Sequence, residues 1–177
     1  MQSGVVFARE PLTHVLWGEA LPLLFAHWRE LHEDAVDELT PDIDRYQALH
    51  ANGVLRVFTA RRSDGLLVGY AMFTVMGSLP CKQLLEAQQA AIYVQPDHRP
   101  KHGAAFLDYC TEELFSEGVD TVYQIDTVAR PLGRLLARKG FYPVGTVWAK
   151  RSAVPAPRRF PTISTAEKSV GNAGAIA

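Results

Sequence analysis

The sequence predicts a mixed α/β domain, and three observations carry that prediction. Two strand-like runs, "VLRVFTARR" and "LLVGYAMFTVMG", meet at the tight turn "SDG". A third run, "AAIYVQP", passes through a short polar loop into a helical pattern, and a further strand-like run follows. Two earlier stretches carry the spacing and end signals of helices. Along the chain the order is strand, two helices, hairpin, strand, helix, strand, helix, strand.

Each element has its own justification. "GVVFARE" reads as a short first strand. "THVLWGEALPLLFAHWRELHEDA" reads as a helix, because Trp17, Leu21, Leu24, Trp28, Leu31 and Ala35 alternate spacings of four and three and make one apolar stripe. Pro22 predicts a kink there, or a helix beginning just before it. In "TPDIDRYQALHANG" the expected N-cap is Thr40, with Pro41 in the first helical position and a stop at Asn52-Gly53. The hairpin comes next, then the strand "AAIYVQP", then a helix over residues 104–117 that turns Leu107, Cys110 and Leu114 inward. "DTVYQIDTV" reads as a strand and "RPLGRLLARKG" as a helix closed by Gly140. "FYPVGTVWAKR" reads as a final strand pair bent at Pro143 or Gly145. From Ser152 onward there are three prolines, many small residues and little apolar periodicity. The expected organisation is therefore one domain over residues 1–151 and an extended tail over 152–177. No internal repeat is visible.

Composition narrows the function. The 177 residues suit one domain with a real core, and 47% hydrophobic with 21% charged is ordinary for a globular protein. A formal net charge of -1 supplies no global field for nucleic acid or for an anionic membrane, so neither is expected as a partner. Cys81 and Cys110 are too few for a disulfide framework and lack a CxxC spacing, which predicts reduced thiols and a cytoplasmic setting. "MQSGVVFAREPL" has neither the basic-then-apolar pattern of a signal peptide nor the length of a membrane anchor.

The stretch "YVQPDHRPKHGAAFLDYC" concentrates the chemistry. A helix N-terminus presents unpaired N–H groups and partial positive charge, which suits an anion. Arg99, Lys101 and His102 add charge or donors at that junction, and Gly103 and Ala104 keep side chains small where a phosphate would approach the backbone. The residues alone support two readings, a phosphate cradle and an ordinary basic strand-to-helix connection.

"IYVQPDHRPKHGAAFLDYC" resembles the acetyl-CoA-binding segment of the GCN5-related N-acetyltransferases. That family's pattern is Gln or Arg, two residues, Gly, one residue, then Gly or Ala. Arg99 and Ala104 match it; His102 stands where Gly is usual, Gly103 comes one place later, and Pro100 removes an amide donor. "RLLARKGFYPVGTVWAKR" resembles the family's closing helix and strand, and the likeness covers about residues 4–151. "AHWRELHEDA" and "LGRLLARKGF" are most similar to acetyltransferase-like proteins encoded by bacteriophages, which would place the protein in a host cytoplasm or a virion.

The resemblance implies an acyl-CoA N-acyltransferase-like fold: a twisted, mostly antiparallel sheet with one parallel pair splayed for CoA, flanked by about four helices. It implies acetyl-CoA as the acyl donor, with Ile92, Tyr93 and Val94 offering main-chain groups to the pantetheine arm. The pyrophosphate would lie on the amides of Lys101, His102, Gly103, Ala104 and Ala105, beside Arg99. The reaction implied is direct attack of an amine on the thioester, through positioning, proton removal and oxyanion stabilisation.

Glu86 is the carboxylate nearest the place where relatives keep a general base, and partial desolvation there would raise its pKa; the alternative is a solvated loop residue. Relatives often carry a Tyr, as acid, where this chain has Leu136, and an Asn where "TVARP" stands, so the acid is unassigned. The family's first helices and their connecting loop set acceptor choice. Here "ELHEDAVDELTPD" gathers acids, and Glu33, Asp34 and Glu38 would draw an amine acceptor, of a small molecule or a protein. The alternative is an ordinary solvated helix end. His27, Glu30 and Asp34 share a helical face, but such residues commonly belong to a solvated surface, and no metal is expected. Two functions follow: an acetyl-CoA-dependent N-acetyltransferase, or a protein that keeps the fold without turnover and docks through "PAPRRFP" in its tail. Dimerisation is common among relatives, and a homodimer or a partner bound through residues 152–177 would fit either.

Overall fold

A computed structural model describes residues 4–32 and 39–150. The elements are β1 (Val5–Arg9), α1 (His14–Leu31), α2 (Ile43–Ala51), β2 (Leu55–Arg62), β3 (Leu67–Gly77), β4 (Leu85–Val94), α3 (Arg99–Ser116), β5 (Thr121–Tyr123) and α4 (Gly133–Arg138), with a 3-10 turn over Pro96–His98 leading into α3. The strands form one five-stranded sheet in the order β1-β2-β3-β4-β5. The first three pairings are antiparallel and β4 pairs β5 in parallel. That is the mixed architecture expected, with α3 as the connection that a parallel pair requires.

Local chemistry explains the element ends. Thr13 caps α1, its hydroxyl accepting from the N–H of Leu16 at 3.1 Å. Pro22 lies inside α1, which runs unbroken on either side of it. The cap of α2 is Asp42, whose carboxylate accepts from the N–H of Arg45, and not Thr40. A carboxylate is the stronger cap there because it also faces the positive end of the helix. Gly53, at φ +68, and Gly140, at φ +84, end α2 and α4 in the left-handed region that side chains disfavour.

Two apolar clusters divide the sheet. On one face α1 places Leu16, Trp17, Ala20, Leu23 and Leu24 against Leu55, Val57, Tyr70, Met72 and Tyr93, and α2 packs the partly buried Ile43, Tyr46 and Leu49 against the same cluster. On the other, α3 places Phe106, Cys110 and Leu114 against Phe58, Ala71, Phe73, Val75 and Ala87. The inward stripe expected for residues 107, 110 and 114 is therefore present, and Cys110 is a core thiol pushed well up by burial. Cys81 is an exposed free thiol. An ion pair from Lys139 to Asp108 ties the end of α4 to α3.

Three further expectations need correction. The helix after β4 starts at Arg99 rather than 104, because Pro100 is tolerated in a first turn and continues the 3-10 turn before it. The strand expected over "DTVYQIDTV" is reduced to Thr121–Tyr123. The final strand pair does not form: residues 141–150 are in no regular element, and Tyr142, Val144, Val147 and Trp148 are exposed. Alternating apolar residues favour a strand only where a neighbouring strand accepts them, and β5 offers three residues. The tail over 152–177 lies outside the described residues. Among the described residues no helix is long and apolar enough to cross a membrane.

Candidate functional site

The site is built where β4 and β5 part. Their parallel register covers Glu86↔Thr121, Ala87↔Val122 and Gln88↔Tyr123, and ends there. β4 continues to Val94 without β5 beside it. The parting coincides with a bulge: Met72 pairs Ala91 and Phe73 pairs Gln89, so Ala90 is the extra residue. A bulge bends its strand and ends regular pairing on that edge. At the start of the gap the Gln89 side-chain oxygen accepts from the N–H of Ile125 at 3.3 Å. In the residue before Ile125, the Gln124 amide nitrogen is buried and has no acceptor among the described residues.

The backbone of β4 faces this gap with a definite alternation. Gln95 donates to the carbonyl of Val68 at 2.8 Å, and the register continues as Val94↔Gly69, Tyr93↔Tyr70 and Ile92↔Ala71. Antiparallel pairs alternate between bonded and non-bonded. Tyr93 and Ala91 therefore spend their polar groups on β3, while Ile92 and Val94 turn theirs to the open edge. Of the three strand residues named from the sequence, the two at 92 and 94 present main chain to the gap. Tyr93 instead contributes its side chain to the face that carries α1.

The junction after β4 is tightly wound. His98 donates its N–H to the carbonyl of Gln95 and Arg99 to that of Pro96. With α3 starting at Arg99, the N–H groups of Gly103, Ala104 and Ala105 fall within its i→i−4 ladder. Pro100 has none. Lys101 and His102 lie in the first turn, where the helix end supplies its positive field. Burial, then the charges of Lys101 and His98, lower the pKa of His102. A side chain at Gly103 would meet only the Cβ of Arg99, at 3.9 Å.

The mouth of the gap holds a charged cluster. Arg99 reaches back, its Nε donating to the carbonyl of Val94. Its Nη2 donates to both carboxylate oxygens of Glu30, at 2.8 and 2.9 Å. Arg130, from the segment after β5, donates to the same carboxylate, and the Tyr93 hydroxyl donates to it at 3.3 Å. The Arg99 guanidinium lies 5.0 Å from the centre of the Tyr93 ring. Burial raises the Glu30 pKa, but the hydrogen bonds from Arg99 and Arg130 outweigh it and hold the carboxyl below its ordinary value.

Behind this cluster the His27 Nδ1 and the Tyr70 hydroxyl are 2.9 Å apart, and the His27 ring lies 5.1 Å from that of Tyr93. Burial pushes the His27 pKa down to about 4, against the partial support of Glu30 and with the opposition of Arg99, Arg130 and His32. Between the ordinary value of 6.5 and about 4, the unfolded chain binds a proton at this site and the folded chain does not. Lowering pH through that window therefore favours unfolding. Thermal melts across it should show the midpoint falling with pH, and His27→Gln should flatten the slope. An unchanged slope in the variant would place the acid sensitivity elsewhere.

Glu86 lies on the same sheet face as α1 and α2, beyond their cover. There Thr74, Met76, Gly77, Glu86, Gln88 and Tyr123 line a pocket of about 240 Å³. Gln88 and Tyr123 are also the last residues of the parallel pair, so the pocket adjoins the start of the gap. Glu86 lies three positions before Gln89 in β4, about 10 Å along a strand. Glu33, Asp34 and Glu38 lie outside the described residues. Among the described residues no group of three or more His, Cys, Asp or Glu is placed to hold a metal. Sequence reasoning missed Gln89, Gln124 and Arg130. It named His27 only as a member of a helical face and Glu30 there and at the start of the acidic stretch, and no local signal joined Glu30 to Arg99 or Arg130.

No protein-family model and no curated protein matches the chain. Solved structures do. The ribosomal-protein-alanine N-acetyltransferase of Brucella melitensis biovar Abortus 2308 is 21% identical over 84% of this chain and 99% of its own, with a TM-score of 0.60. An acetyltransferase of Trypanosoma brucei is 13% identical over 84% of this chain and 100% of its own, at a TM-score of 0.64. A predicted acetyltransferase of Clostridium acetobutylicum, solved with acetyl-CoA, is 14% identical over 84% of this chain and 96% of its own, at 0.57. At these identities the likeness shows the fold: the chain has the fold of the GCN5-related acetyltransferases.

Proposed function

We propose that this protein is an acetyl-CoA-dependent N-acetyltransferase that passes the acetyl group directly to an amine. The observation that carries this reading is the gap between β4 and β5, along which Ile92 and Val94 turn main chain that no neighbouring strand pairs. The thioester substrate would lie along that edge, its amide groups pairing with the main chain as an added strand would. The Gln124 amide nitrogen, buried and without an acceptor among the described residues, would suit a ligand carbonyl. The first turn of α3 and Arg99 would face the phosphates.

The amine would enter from the other face, through the pocket that holds Glu86. Glu86 would take the ammonium proton, the freed nitrogen would attack the thioester carbonyl, the adduct nitrogen would lose its surplus proton to solvent, and the tetrahedral adduct would collapse to the amide with loss of the CoA thiolate. Leu136, in the place of the family's Tyr, is apolar and buried, so the thiolate would draw its proton from solvent. The acceptor we propose is a cationic amine, drawn by Glu33, Asp34 and Glu38. The narrower likeness to phage-encoded proteins makes a phage role our proposal for its setting.

A second reading is a binding protein without turnover, favoured by Leu136 and by the charged cluster already seated at the mouth of the gap. Calorimetric titration of acetyl-CoA separates the two. Micromolar binding is expected, weakened at least about tenfold by Gly103→Trp. An added Cβ at Gly103 meets only the Cβ of Arg99, at 3.9 Å, so the backbone there accepts a side chain, and a thermal melt of the variant checks that it is folded. No binding by the unaltered protein would remove the enzyme reading and favour the second.

A further inference from the structure

Glu30 is oddly placed for a structural acid. It sits in the last turn of α1, where the negative end of the helix disfavours a carboxylate. Two arginines from opposite sides of the gap, Arg99 after β4 and Arg130 after β5, converge on it. Thr127 fixes the turn that presents Arg130: its hydroxyl accepts from the N–H of Arg130 at 3.3 Å and donates to the carbonyl of the same residue at 3.2 Å. Two guanidinium groups facing one carboxylate leave a local excess of one positive charge. All three side chains stay within reach of solvent, at 23%, 27% and 38% exposure for Arg99, Glu30 and Arg130.

We propose that Arg130 is a second anion-binding residue, facing Arg99 across the gap, and that the Glu30 carboxylate holds the place that a ligand's diphosphate takes. A guanidinium fork binds carboxylate and phosphate oxygens with the same geometry, so the exchange needs no rebuilding of either arginine. A diphosphate brings more charge than one carboxylate and can occupy both forks. Drawing Arg99 towards it also releases the Val94 carbonyl, the open-edge acceptor that Arg99 covers in the clasped arrangement. Glu30 then lowers the affinity of the site twice, first by competing for the arginines and then by repelling the bound anion. This inference rests on the reading that the gap accepts a CoA thioester, but its test separates the two.

The experiment titrates coenzyme A and, separately, inorganic pyrophosphate into the unaltered protein, Glu30→Gln, Arg130→Gln and the double variant, with thermal melts of each. Glu30→Gln is expected to bind both probes about tenfold tighter, and Arg130→Gln about fivefold weaker. In the double variant the gain from Glu30→Gln shrinks to about threefold, because only Arg99 remains to be freed. Equal or weaker pyrophosphate binding by a folded Glu30→Gln overturns the proposal. Should Glu30→Gln fail to fold, unchanged binding by Arg130→Gln overturns it alone. Coenzyme A binding to the unaltered protein with no gain in Glu30→Gln leaves the acetyltransferase reading standing without this inference. Tighter pyrophosphate binding with no coenzyme A binding by any variant does the reverse.

Discussion

Phe106→Ala should destabilise the protein by about 3–5 kcal/mol. Phe106 is fully buried on the inner side of α3 and is in ring contact with Phe7 of β1, centres 5.2 Å apart. It joins the same cluster as Phe58, Phe73 and Val94, so it holds α3 against the sheet from β1 to β4. Truncation removes the transfer free energy of the ring and leaves a cavity that a sheet and an 18-residue helix cannot easily close. For a domain of this size the melting midpoint should fall by roughly 6–20 °C. Denaturant unfolding checks the same figure: the midpoint should drop with the slope unchanged. A loss below about 1 kcal/mol would mean that α3 is not seated on the sheet as described.

Gly69→Ala should be nearly as damaging, and it should strike the site as well as the fold. Gly69 faces Val94 in a non-bonded antiparallel pair, the kind that brings opposing residues closest. An added Cβ would stand 2.8 Å from the Tyr93 carbonyl oxygen, 3.1 Å from a Val94 methyl and 3.2 Å from the Ala60 Cβ. The first of these is backbone and cannot step aside without moving β4. We expect a cost of about 2–3 kcal/mol from the strain, read as a lower denaturant midpoint. The shift falls on the end of β4, where Val94 and Arg99 shape the mouth of the gap. Acetyl-CoA binding should therefore weaken beyond what the loss of stability explains. Unaltered stability and binding together would show that β3 and β4 are not packed this closely.

The chain's own pattern made much of this legible. Apolar strand-like runs marked β2, β3 and β4, and the spacing of Leu107, Cys110 and Leu114 marked the buried side of α3. These are local signals, set by periods of two and 3.6 residues. The same local logic failed where a strand lacks a neighbour: "FYPVGTVWAKR" reads as a bent strand pair, yet residues 141–150 join no sheet. It also misplaced the start of α3, because a proline reads as an interruption until the turn before it is known to be helical.

Residue type and position along the chain determined the mixed α/β class, the strand-loop-helix that carries Arg99 to Ala105, and the core role of Cys110. Tertiary structure decided the rest. The bulge at Ala90 sets where β4 leaves β5, and so which of Ile92, Tyr93 and Val94 turns main chain to the gap. The meeting of Glu30 with Arg99 and Arg130 joins residues 69 and 100 positions apart. Periodicity acts over a few residues and says which face a side chain takes. It carries no information on which distant face will stand opposite, because that depends on sheet order and on how far two strands stay paired.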